Sequence, residues 1–190
     1  MPGAVTVQYV IDSGLSRFTV QAFAGGLFSA FGHNPLIAIP EFTGEIQLAE
    51  DITQSSFIMT AKAVSLKVAS DISDKDRAEL ERIMREQVLQ TNQYPEIVYS
   101  CSKLSASSTG EGQYWAGLNG ELTLHGVTRN LTIPARLMVN GEILRASGSF
   151  SILQTDYDIE LVSVAGGVLK VKDEVKFSFE IVAKRQAYMP

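Results

Sequence analysis

Two histidines, one cysteine and a serine–lysine pair are where this 190-residue chain could carry reactive chemistry. His125 stands in "LTLHGVTRNLTIP", between two apolar runs. An imidazole there could serve as a general base near neutral pH, or as the one polar contact for an oxygen of an otherwise apolar ligand. The same stretch equally suits a tight turn between two strands, with Gly126 permitting the bend and Thr128 and Arg129 forming its polar exit. His33 follows the aromatic stretch "LFSAFGH" and precedes Pro35, where a strand breaks into a turn. A metal held by His33 and His125 needs further ligands from distant strands, and no local spacing supplies them, so no metal is expected. Cys101 is alone, which rules out an internal disulfide and a cysteine zinc cluster; it reads as a small strand residue. Ser100 and Lys103 have the spacing of serine–lysine nucleophile motifs, yet in an extended run that spacing sends the side chains to opposite faces. "AGG" at 24–26 and again at 165–167 continues into neither a dinucleotide-binding nor a P-loop signature, so both read as turns. No catalytic residue and no cofactor is expected.

The elements that must position these groups are mostly strands. In "SRFTVQAFA", Phe18, Val20 and Ala22 share a face; in "GEIQLAE", Ile46 and Leu48 alternate with Glu45 and Gln47. "LNGELTL" aligns Leu118, Leu122 and Leu124, and "NLTIPARLMV" aligns Leu131, Ile133, Ala135, Leu137 and Val139. "DEVKFSFEIVAKR" puts Val175, Phe177, Phe179, Ile181 and Ala183 on one side, with Val182 the exception to a polar opposite face. Each such run is a half-buried antiparallel strand. "SSFIMTAKAVSLKVA" changes phase midway, which predicts a bulge near Lys62 or Ala63. "SASSTGEGQ" reads as a polar turn. One amphipathic helix is expected over about 74–90, with Leu80, Ile83, Met84 and Val88 on its stripe and Ser73 with Asp76 as its N-cap pair.

Length and composition suit a single domain over 1–190. The formal charge of −5 and the absence of a basic run argue against a nucleic-acid partner. The start "MPGAVTVQYVIDSG" carries no basic and apolar export segment, and no apolar run is long enough for a spanning helix. A cytoplasmic location and no membrane span are therefore expected.

Eight or nine strands with short turns and one helix bury one face each, and an antiparallel sheet of that length curls into a barrel. The expected fold is all-β: an eight-stranded antiparallel up-and-down barrel, lipocalin-like, with the helix across one end. Such a barrel is wide enough to hold side chains or one small ligand. Phe18, Phe57, Met59, Tyr99, Phe150, Phe177 and Phe179 are candidates for its lining. Phe31, His33, Leu122, Leu124 and His125 complete the candidate ligand-binding set. Two other readings stand beside a lipid site: a small-molecule enzyme using an interior histidine, and a filled barrel acting through its outer surface.

The motifs also carry a resemblance. "ELTLHGVTRNLTIP" resembles the signature hairpin of the YceI-like polyisoprenoid-binding proteins, with Leu122, Leu124, His125, Gly126, Thr128 and Arg129 at its positions. "YPEIVYSCSKL", "FTGEIQL" and "DEVKFSFEIVAKR" resemble further strands of that family in the same order. The phrase "FAGGLFSAFGHNPLIAI" departs from the family's usual first hairpin, and the double Phe typical before "YP" is missing. The resemblance implies a lipocalin-like barrel holding a long isoprenoid tail, such as that of a quinone, and a homodimer. The implied partner is an apolar small molecule.

Overall fold

Alternating apolar and polar residues become the inner and outer faces of a closed antiparallel barrel in the computed structural model, which describes residues 6–26, 34–164 and 169–187. Its strands in chain order are β1 (Thr6–Ile11), β2 (Arg17–Gly26), β3 (Leu36–Ala38), β4 (Phe42–Ala49), β5 (Ser56–Lys62) and β6 (Lys67–Val68), followed by helix α1 (Asp74–Ile83). Then come β7 (Glu96–Gly110), β8 (Gln113–Leu124), β9 (Val127–Asn140), β10 (Ile143–Leu153), β11 (Ser163–Val164) and β12 (Leu169–Arg185). The first six form three interrupted wall strands. β1 pairs with β4 while β2 pairs with β3, and β4 pairs with β5 while β3 pairs with β6. Eight long strands therefore run up and down in sequence order, and β12 closes the ring against both β1 and β2.

The three interruptions have separate local causes. Residues 12–16 loop out between β1 and β2 and fold over Val182: the Asp12 amide donates to the Val182 carbonyl at 2.9 Å, and the Val182 amide donates to Ser16 Oγ at 2.9 Å. That cover explains why Val182 is buried on an otherwise wet face. Pro40 lies in the break between β3 and β4. The expected bulge near Lys62 is instead a single 3-10 turn, Ala63–Ser65, which resets the phase so that Leu66 and Val68 are buried while Val64 is exposed.

Other local expectations shift for similar reasons. The polar stretch after Leu104 is strand as far as Gly110, its serines exposed, and only Glu111 and Gly112 remain as the turn. Residues 24–26 are not a turn but the end of β2, paired with β12. A bulge between Cys101 and Lys103 leaves both Ser100 and Lys103 exposed, so the pair is not split between faces.

Helix α1 starts where its capping residues place it: the Asp76 amide donates to Ser73 Oγ at 3.1 Å. It continues as a π-type turn over Met84–Val88, so the α-helical part ends at Ile83. Ile83, Met84 and Leu89 are buried beneath it. The helix clamps the short edge strand β6 through one residue: the Val68 amide donates to Glu81 Oε1 at 3.0 Å and the Arg77 guanidinium donates to the Val68 carbonyl. Those bonds occupy backbone groups that a neighbouring strand would otherwise take.

One seam of the wall is laddered over only part of its length. β9 and β10 pair from Asn140–Ile143 to Arg136–Ser147 and no further, although both strands continue. Just beyond, Pro134 has no amide hydrogen to offer. Gly148 packs so close that an added Cβ would lie 2.4 Å from the Pro134 carbonyl oxygen and 2.8 Å from Phe179. Above that point the 3-10 turn Gln154–Tyr157 lies between the parted strands.

Candidate functional site

Inside the barrel lies an elongated cavity whose wall is almost wholly apolar. Its aromatic wall is built from the inward rows of β2, β5, β10 and β12: Phe18, Phe57, Met59, Phe150, Phe177 and Phe179. The empty space among the lining side chains is about 1050 Å³ with its mouths included. An apolar wall of this extent suits a hydrocarbon chain.

The aromatic wall is mutually braced. Phe150 and Phe177 stack at 4.8 Å and 2°, while Phe18 meets Phe42 edge-on at 6.2 Å and Phe179 edge-on at 6.5 Å. Tyr99 presents only its ring to the channel, because its hydroxyl is taken by the backbone, 2.7 Å from the Leu118 carbonyl and 2.8 Å from that of Leu131. Burial pushes its phenol well above the ordinary range. At the end near residues 50–55, Ser55 and Ser56 reach the wall, and Tyr9 helps close that end by donating to the Gly141 carbonyl at 2.6 Å.

His125 is not on this wall. It is the first central residue of the two-residue turn between β8 and β9, where His125 and Gly126 both have positive φ, 52° and 76°. The Tyr94 ring lies 4.4 Å from the imidazole and covers the turn so closely that a Cβ on Gly126 would sit 2.6 Å from it. His125 Nδ1 is 3.1 Å from the Tyr157 carbonyl and donates to it in the Nδ1–H tautomer; Nε2 is buried without a partner among the described residues.

The histidine thus ties down the 3-10 turn that fills the β9–β10 seam. Arg129 Nε donates to the Asp156 carbonyl at 2.5 Å on the same side. From the other side, Asp173 of β12 accepts from the Thr155 amide at 2.9 Å and its hydroxyl at 2.6 Å. Those bonds hold the Asp173 carboxyl below its usual range. A depressed carboxylate stabilises the fold above its unfolded pKa, near 3.8, and that contribution is lost as pH falls through the lower folded value. Asp173→Asn is therefore expected to lower stability at neutral pH and to flatten its fall below pH about 4, read by thermal melts across pH.

The match to known families falls on this geometry. The YceI-like domain model covers residues 9–183, almost the whole described barrel. The chain belongs to the YceI-like domain family. Solved structures share the family fold at low identity. BcnA of Burkholderia cenocepacia is 18% identical with a TM-score of 0.67 over 92% of this chain and 99% of its own. A polyisoprenoid binding domain from Saccharophagus degradans, implicated in plant cell wall breakdown, is 12% identical with a TM-score of 0.66 over 95% and 99%. The YceI protein of Campylobacter jejuni is 10% identical with a TM-score of 0.58 over 80% and 85%. No curated protein matches the chain.

Within this YceI-like barrel the sequence-derived candidates separate. Phe18, Phe57, Met59, Tyr99, Leu122, Phe150, Phe177 and Phe179 face the channel. Leu124 is buried in the packed layer above it, next to the His125 turn. Phe31 and His33 lie outside the described residues. Wall positions such as Ile39, Ile97, Leu104, Leu144 and Ala146 were not singled out; they lack the aromatic ring that marks most of the others. Among the described residues no three His, Cys, Asp or Glu side chains gather closely enough to hold a metal, and no helix is long and apolar enough to cross a membrane.

Cys101 is 1% exposed, and burial pushes its thiol up. A thiol-reactive chromophore is expected to label the native protein only on the timescale of unfolding and to label one equivalent at once in denaturant. Rapid native labelling would contradict this burial.

Proposed function

We propose that this YceI-like barrel binds and carries one long apolar molecule, a polyisoprenoid, an isoprenoid quinone or a related lipid, with its tail in the channel. The observation that carries the reading is the apolar channel itself, walled by Phe18, Phe57, Met59, Phe150, Phe177 and Phe179. The family match and the polyisoprenoid binding domain among the structural neighbours support it. Burying about twenty chain carbons at ~0.8 kcal/mol each yields on the order of 16 kcal/mol gross, against roughly 4–15 kcal/mol of association cost. Micromolar or tighter binding then needs no strong polar contact.

A binding protein rather than an enzyme is the form this reading takes, since the buried imidazole of His125 stands in a hairpin turn and not on the channel wall. Titration with isoprenoid alcohols of increasing length tests it: affinity should climb with each added unit and then level off once the channel is full. A flat response to length would count against an interior tail site. The same reading includes a homodimer, which light scattering of the purified protein checks.

A further inference from the structure

The unladdered seam between β9 and β10 carries more than a structural defect. Where the strands part, a notch indents the outer face of the wall, with Arg129, Asn130, Ser151, Asp156 and Glu174 around it. Its floor includes Leu131 and Ile152. Two residues along the same inward rows, Ile133 and Phe150 line the channel. The notch mixes polar side chains with Leu131, Ile152, Leu153 and Tyr157, the channel is apolar, and both lie along one pair of strands. From this juxtaposition we propose that the notch is the head-group site of the cargo, and that the head it takes is an uncharged hydroxyl, as on a polyprenol, rather than a diphosphate.

The charges decide between those heads. Arg129 is the one cation of the notch lining, and its Nε is already committed to the Asp156 carbonyl. Two carboxylates, Asp156 and Glu174, oppose it, so the notch is net negative and repels a multiply charged anion. Its donors and acceptors are mixed: guanidinium and amide N–H groups, the Ser151 hydroxyl, and the two carboxylates. A hydroxyl, which both donates and accepts, satisfies such a lining. A ligand lying this way leaves the barrel through its side wall, beneath the Gln154–Tyr157 turn.

The inference rests on the carrier reading, and one experiment separates the two. Geranylgeraniol and geranylgeranyl diphosphate share a tail and differ only in head; each is titrated by displacement of a fluorescent fatty-acid probe. The alcohol is expected to bind about tenfold tighter than the diphosphate or better. The double variant D156N/E174Q should remove most of that preference, and Ser151→Trp, at an exposed position, should weaken the alcohol about tenfold with the melting temperature retained. A diphosphate that binds as tightly as the alcohol, a preference untouched by D156N/E174Q, or an unaffected S151W would overturn the head-group site while leaving the carrier reading in place. Failure of the probe and of both isoprenoids to bind would instead refute the carrier reading, and the head-group site with it.

Discussion

Phe18→Ala is expected to destabilise the protein by about 3–5 kcal/mol, a loss that lowers the melting temperature by roughly 6–20 °C in a domain of this size. Phe18 sits where the channel wall and the packed core meet: it touches Phe42 on one side and Phe177 and Phe179 on the other, and it is 8% exposed. Removing the ring deletes its transfer energy and enlarges a space that the braced aromatic neighbours are poorly placed to fill. Urea unfolding at unchanged slope is the measurement. A loss below about 1 kcal/mol would mean that the wall collapses onto the gap.

The second large effect is on binding. Met59 is half-buried, lines the channel beside Phe57 and Tyr99, and is the most adaptable side chain there. Met59→Trp places a rigid bicycle in the channel. If the ring displaces three or four chain carbons at ~0.8 kcal/mol each, affinity for a long isoprenoid falls about a hundredfold. A short isoprenoid that never reaches this level should be much less affected, and the fold should melt within a few degrees of the parent. Equal losses for short and long ligands would point to unfolding or to a site elsewhere.

How far the sequence alone carries can be judged residue by residue. The last strand is read correctly from Asp173 to Arg185, though not its start at Leu169, because its alternation from Val175 to Ala183 is nearly unbroken and one face must be wet. Its one exception, Val182, depends on a loop from the opposite end of the chain, and no local pattern contains that information. The break after Lys62 is visible as a change of phase, but a bulge and a 3-10 turn shift the phase alike, so only the backbone distinguishes them. The N-cap of α1 is legible because capping is local; the conversion to a π-type turn at Met84 is not.

At the site, the aromatic half of the lining is found because large rings on an inward face have few other places to go. His125 is the instructive residue. Its turn, with Gly126 beside it, can be read from the hairpin spacing, whereas its contact with the Tyr157 carbonyl joins residues 32 apart in the chain. The parting of β9 from β10 is hinted at by Pro134 alone, and a proline on a strand edge is too common a feature to announce the end of a ladder.

Native mass spectrometry of freshly purified protein, followed by solvent extraction and identification of whatever small molecule departs, tests the central claim most directly. The account predicts a bound species of lipid mass, lost on extraction, with a long apolar tail. A clean unliganded mass that stays unchanged after incubation with polyprenols, isoprenoid quinones and fatty acids would contradict it.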